Sequence, residues 1–151
     1  MSPTAALLPD RLGGAPDGKR SLRLWLRLLT CTTTIEQTVA QRLRDSFDTT
    51  LPRFDLLAAL DRAGDPGLTM GEAAAMLKAD GLIESLPGPD RRVQRIRLTP
   101  AGRTRFAVMA AAHERWIETL FAGLDDAEAE TLTHLLERTK RSLQTHTEPT
   151  P

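Results

Sequence analysis

Arginines at 91, 92, 95, 97, 103 and 105 crowd one short stretch of the chain, opposed nearby only by Asp90. Guanidinium pairs bidentately with phosphate and fits a narrow minor groove, so the chemistry such a cluster offers is recognition of an anionic polymer. Lys+Arg and Asp+Glu both number 20, so net charge names no partner and any basic surface must be local. Trp25, Trp116, Phe47, Phe54, Phe106 and Phe121 are the only aromatics, too few for a platform on which single strands stack. The plain alternative is a solvated edge strand whose charge keeps it from pairing with other chains.

Catalytic chemistry is not visible. His113, His134 and His146 are scattered, with no carboxylate or cysteine at ligand spacing. No glycine-rich phosphate loop, Gly-x-Ser-x-Gly elbow or Cys-His nucleophile pair occurs, so the chain is read as a non-enzyme without cofactor or metal. His113 falls on an apolar helical face and is expected to be a hydrogen-bonded interface residue. Cys31 has Arg27 one turn earlier, a cation able to favour thiolate, yet with one such neighbour a buried inert thiol is the expectation. Trp25 is expected in a core, although tryptophan and threonine on neighbouring turns also suit an aromatic effector.

The arginines are presented by a hairpin. Pro87-Gly88-Pro89-Asp90 is turn chemistry, in which proline presets φ and glycine accepts positive φ. Arg91 and Arg92 sit at or beside the tip. On the returning strand Ile96 and Leu98 alternate with Arg95 and Arg97, which puts aliphatics on one face and guanidiniums on the other. Thr99 is a candidate N-cap, and Pro100 occupies the first helical position, where its missing N–H costs nothing.

Helices surround the hairpin. Residues 1–20, with prolines at 3, 9 and 16, read as a flexible N-terminal arm. From Ser21, apolar residues at 22, 25, 29, 35, 39 and 43 trace a long helix, with Cys31-Thr32-Thr33-Thr34 as an odd insert whose hydroxyls can bond back to the preceding turn. Phe47 to Thr50 breaks it, and Leu51-Pro52 starts a second helix that Gly64 to Gly67 ends. Thr69-Met70-Gly71-Glu72 has the form of a capping box and Gly81 that of a C-terminal stop, leaving room for one helix of about three turns. A long amphipathic helix is expected from Pro100 to Gly123, and a last one from an Asp125/Glu128 capping box to Leu143, with a flexible tail over 145–151.

One domain over 21–144 fits this length, and the long first and last helices carry more apolar surface than a small hairpin lobe covers. A helical homodimer interface would bury the surplus. Cys31 is the only cysteine, so a reducing compartment is the default. No apolar run approaches the roughly 20 residues of a membrane span and the N-terminus lacks signal-peptide regions, so a cytoplasmic protein with no membrane partner is expected.

In this order the chain resembles the MarR family of dimeric winged helix-turn-helix regulators, from about Ser21 to Leu143. The most specific pieces are LTMGE at Leu68–Glu72, ADGLIE at Ala79–Glu84 and DRRVQRIRLTPAG at Asp90–Gly102. LRLWLRLLTCTT and FDTTLPRFDLL are similar to the branch that senses aromatic acids or their coenzyme A thioesters. The resemblance implies a mainly α fold with a small β-hairpin wing, a DNA-binding lobe at about 51–99 and dimerisation helices at about 21–46 and 100–144. It implies double-stranded DNA as partner, with Arg91 or Arg92 in the minor groove and Arg95 and Arg97 beside them. It also implies an effector between dimer region and lobe, where Trp25, Phe54, Cys31, Thr32 and Thr34 would form an aromatic slot and Arg53 or Arg27 would hold a carboxylate or phosphate. Those residues packing a dimer core is the alternative.

The resemblance breaks at one place. A helix-turn-helix needs on the order of 20 residues, and Thr69 to Gly81 is too short. AAAMLKADGL resembles the C-terminal half of a recognition helix, with no counterpart to the helix before it. Either major-groove readout has been deleted, or the physical protein carries further residues between about Glu72 and Met76; the wording of both flanks favours the second. A small-molecule-binding or dimerisation module without sequence-specific DNA binding is the alternative function.

Overall fold

A computed structural model describes residues 19–64, 68–69, 77–78, 80–86, 95–147 and 149. The described elements are α1 (Arg20–Phe47), α2 (Leu51–Ala63), β1 (Leu68–Thr69), β2 (Ile83–Leu86), β3 (Arg95–Leu98), α3 (Pro100–Leu120) and α4 (Asp126–Thr147). The expected class, mainly helical with a small antiparallel β element, is the class found. The chain divides into two compact units, Met1–His113 and Glu114–Pro151, with the division inside α3.

The first unit closes a core. Asp48 ends α1 in the left-handed region at φ 50, its N–H bonded to the Arg44 carbonyl, a conformation that short polar side chains tolerate. Pro52 then stands in the first turn of α2, and Gly64 at φ 65 ends that helix as expected. Phe54, Leu57 and Leu60 of α2 are buried with Val39 and Leu43 of α1, Leu77, and Ile83, Ile96 and Leu98 of the sheet. The period-two expectation holds on β3, where Ile96 and Leu98 are buried while Arg95 is exposed.

The sheet has a third strand that the hairpin reading lacks. β1 pairs antiparallel with β3, Leu68 opposite Ile96 and Thr69 opposite Arg95, giving the order β1-β3-β2. Thr69 is therefore a strand residue. Met70 to Glu72 of the supposed capping box lie outside the described residues. The far end of that expected helix is visible: Leu77 and Lys78 are helical, Gly81 has φ 73, and bonds from Gly81 N to Lys78 O and from Leu82 N to Leu77 O form a Schellman stop.

Thr99 fastens this stop to α3. Its hydroxyl donates to the Gly81 carbonyl at 2.7 Å and accepts from the Gly102 N–H at 2.9 Å, the expected N-cap with a second task added. Gly102 is buried against the chain, and a Cβ there would run into the Leu82 carbonyl oxygen. Helix α3 stops at Leu120, before Gly123.

In the second unit the capping box is formed in both directions, Glu128 N to Asp125 Oδ1 at 2.8 Å and Asp125 N to Glu128 Oε1 at 3.1 Å. Helix α4 runs to Thr147, through the residues read as the start of a tail, with the Thr145 and Thr147 hydroxyls bonded back to the Arg141 and Leu143 carbonyls. No residue of α4 is buried.

Candidate functional site

The register of the β2–β3 ladder sets opposite Arg95 and Arg97 the residues Leu86 and Glu84. Arg97 Nε donates to Glu84 Oε1 at 2.8 Å, with both side chains about two-fifths exposed. The outer face of the hairpin therefore does not carry arginine alone; sequence proximity to Asp90 hid an acid that only the strand register brings across. Such an exposed pair contributes at most about 1 kcal/mol to stability. Arg95 stays exposed at the end of β3. Arg91 and Arg92 lie outside the described residues. Arg105 is held on α3, donating to the Phe47 carbonyl at 3.2 Å with its guanidinium 5.1 Å from the centre of the Phe47 ring.

The expected effector residues divide between two environments. Trp25 is 55% exposed, and Arg27, Cys31, Thr32 and Thr34 are likewise on the open surface of α1. The inert-thiol expectation for Cys31 placed it in a core, whereas it is exposed. The reason is that α1 buries only Val39 and Leu43, in its C-terminal half. Thr32 bonds back to the Leu28 carbonyl at 2.7 Å, and the Thr34 carbonyl accepts from the Thr38 hydroxyl at 2.8 Å. Phe54 is a core residue, its ring 5.7 Å from that of Phe106 and 4.9 Å from that of His113.

Arg53 lines a cleft of about 360 Å³. Its apolar lining is Phe47, Leu57, Leu77, Leu82 and Met109, and Arg53, Arg105, Asp48 and Asp80 add charge at its edge. A floor of apolar side chains with a few charged groups suits an apolar molecule bearing a carboxylate. Sequence reasoning missed Arg105, Asp48 and Asp80 here, because they meet through the α1–α2 turn, the Gly81 stop and α3. The break at Phe47-Asp48 was the available signal. Among the described residues no group of three His, Cys, Asp or Glu side chains is arranged to hold a metal ion, and no helix is long and apolar enough to cross a membrane.

A mutant MarR from E. coli solved with operator DNA matches the chain at TM-score 0.68 and 18% identity, over 83% of this chain and 99% of that one. The fold is that of the MarR-family transcriptional regulators. The organohalide-sensing regulator RdhR-CbdbA1625, in its 2,4-dichlorophenol-bound form, matches at TM-score 0.69 and 17% identity, over 89% and 90% of the two chains. By sequence, the transcriptional repressor IacR of Pseudomonas putida is 26% identical over 118 residues, which span 70% of this chain and 71% of IacR. No protein-family model matches the chain.

Proposed function

We propose that the chain is a homodimeric, effector-responsive DNA-binding transcriptional regulator of the cytoplasm, a repressor released by an aromatic carboxylate or its coenzyme A thioester. The observation that carries the reading is the sheet with Arg95 exposed on it, in a fold shared with a protein solved on operator DNA. Likeness to IacR supports repression, and the phenol-bound relative supports a small aromatic effector. Exposed Leu22, Trp25 and Leu29 on α1 and Leu132, Leu135 and Leu136 on α4 support a second copy as cover.

The cleft beside Arg53 and Arg105 suits the aromatic group, its volume within the about 300–1,000 Å³ of ligand pockets. A coenzyme A moiety would extend out of it. Trp25, Arg27, Cys31, Thr32 and Thr34 stand on the exposed α1 face, where a second copy would complete a slot. By linkage the effector must bind the DNA-free form more tightly, and a tenfold loss of DNA affinity needs about 1.4 kcal/mol of coupling.

The wing is tested by Arg91→Ala with Arg92→Ala. Affinity should fall for all duplexes, and the log–log salt slope should shrink by about 0.9 for each lost phosphate contact. An unchanged slope and affinity would reduce the hairpin to a solvated edge. The effector is tested by titrating phenylpropenoic and benzoic acids and their coenzyme A thioesters against DNA-bound protein; acids that bind without releasing DNA end the effector reading.

A second reading, a small-molecule-binding or dimerisation module without sequence-specific DNA binding, is favoured by one observation. Between Thr69 at the end of β1 and Ile83 at the start of β2 there is room for one helix and its stop, not for two helices and a turn. Under the first reading the physical protein carries further residues between about Glu72 and Met76, and its intact mass exceeds 16.6 kDa. A mass equal to that value promotes the second.

A further inference from the structure

The cleft beside Arg53 holds its apolar and its charged groups at different depths. Leu57, Leu77 and Met109 are buried at its floor, whereas Asp48, Asp80 and Arg105 are exposed at its edge. The charges also differ in how far they are engaged. Arg53 has an interaction of its own. Arg105 gives one N–H of its guanidinium to the Phe47 carbonyl at 3.2 Å and has others to offer. Among the described residues the Asp48 and Asp80 carboxylates accept no hydrogen bond and form no ion pair. Asp48 follows directly on Phe47, so the Arg105 guanidinium and an open carboxylate are neighbours on the edge and do not pair.

We propose that the cleft selects a zwitterion: an apolar α-amino acid whose carboxylate goes to Arg105, whose ammonium goes to Asp48 and Asp80, and whose side chain lies on Leu57, Leu77 and Met109. An ammonium has three N–H donors and no acceptor, which suits two open carboxylates, and a carboxylate suits the remaining donors of a guanidinium. The proposal rests on the effector reading above and narrows it, because an aromatic amino acid is an aromatic carboxylate with a cation attached. It sets the coenzyme A thioester aside. The volume of about 360 Å³ is at the small end for ligand pockets, and a coenzyme A moiety would leave it past two acids that repel its phosphates.

The two acids separate a zwitterion from a plain acid by sign. For a plain carboxylate, Asp48 and Asp80 are like charges beside the site, and replacing either by asparagine strengthens binding. For the zwitterion the same replacement removes an acceptor of its ammonium and weakens binding. Asparagine also tolerates the left-handed backbone of Asp48 at φ 50, and no side-chain hydrogen bond among the described residues is lost at either position.

The experiment titrates the full chain calorimetrically with phenylalanine, 3-phenylpropanoate, phenethylamine and the coenzyme A thioester of 3-phenylpropanoate, which share one ring. Phenylalanine should bind at least about tenfold more tightly than each of the others, the equivalent of about 1.4 kcal/mol. Asp48→Asn and Asp80→Asn should each weaken phenylalanine binding about fivefold and leave 3-phenylpropanoate no weaker. Arg105→Gln should weaken both free carboxylates and spare phenethylamine. Melting of the two aspartate variants should match wild type, which separates lost recognition from general destabilisation. If 3-phenylpropanoate, phenethylamine or the thioester binds as tightly as phenylalanine, or if the aspartate variants bind phenylalanine unchanged, the zwitterion is overturned while the effector reading stands. Absence of binding by all four probes overturns both.

Discussion

In the unit that ends at His113, Leu43, Leu57, Leu60, Leu77, Ile96 and Met109 have lost nearly all exposure, whereas in the unit that begins at Glu114 no residue of α4 is buried and Leu132, Leu135, Leu136 and Leu143 lie open. The amphipathic pattern is clearer in α4, which buries nothing, than in α2, which buries Phe54, Leu57 and Leu60, so pattern alone does not make a core. In the first unit the apolar faces of α2, of the sheet and of the C-terminal half of α1 find one another. Helix α1 spans the contrast by itself, with Val39 and Leu43 buried near its C-terminus and Leu22, Leu24, Trp25 and Leu29 exposed near its N-terminus. Under the proposed function these exposed apolar residues are the surface a second copy would cover, and association would then depend on protein concentration.

The sharpest way to break the contrast is to damage the closed core alone. Gly102→Ala puts a Cβ onto the Leu82 carbonyl oxygen, a backbone atom that cannot step aside as a flexible side chain would. The expected cost is about 3 kcal/mol, the upper end for overpacking, read as a lowered midpoint in urea. An unchanged midpoint would mean that the α3 start does not press on Leu82 as tightly as the structure has it.

The complementary substitution belongs on the open stripe. Leu136→Glu leaves the core of the first unit untouched but removes an apolar side chain that would contribute about 1.5–3 kcal/mol when buried. Self-association followed by sedimentation should weaken about tenfold or more, with the urea transition of the first unit retained at low protein concentration. Equal association of wild type and variant would exclude α4 from the proposed self-association.

What could be read from the sequence was local. The Thr99 and Asp125 caps, the Pro52 start and the Gly64 and Gly81 stops are each decided within three or four residues, and each stands where expected. What could not be read depends on distant pairing. β1 is two residues long and exists because Leu68 and Thr69 find Ile96 and Arg95, while the Glu84–Arg97 pair follows from a register that no local motif sets. Cys31 was misjudged for a related reason: its helix shows one continuous pattern, yet the contacts that bury residues are confined to the far half. The charged edge of the cleft was equally hidden, since Asp48, Asp80 and Arg105 share it only after folding.

The smallest effect also sharpens the comparison, because the same capping chemistry occurs in both units. Asp125 caps α4 through one side-chain bond to Glu128 N, answered by Glu128 Oε1 on Asp125 N. Asp125→Ala should cost about 1 kcal/mol, felt as fraying of the first turn of α4, because none of that helix's side chains is buried to hold it by packing. Thr99 caps α3 but also grips the Gly81 carbonyl, so Thr99→Ala frees a stop as well as a start and should cost nearer 2 kcal/mol. Amide exchange distinguishes the two: Asp125→Ala should speed exchange at Glu128 and Ala129 only, whereas Thr99→Ala should speed it at Gly102, Arg103 and Leu82 together. If Asp125→Ala instead accelerated exchange in β3 and α2, the two units would share one cooperative transition, and the division of the chain into a closed core and a helix with no buried residue would have to be given up.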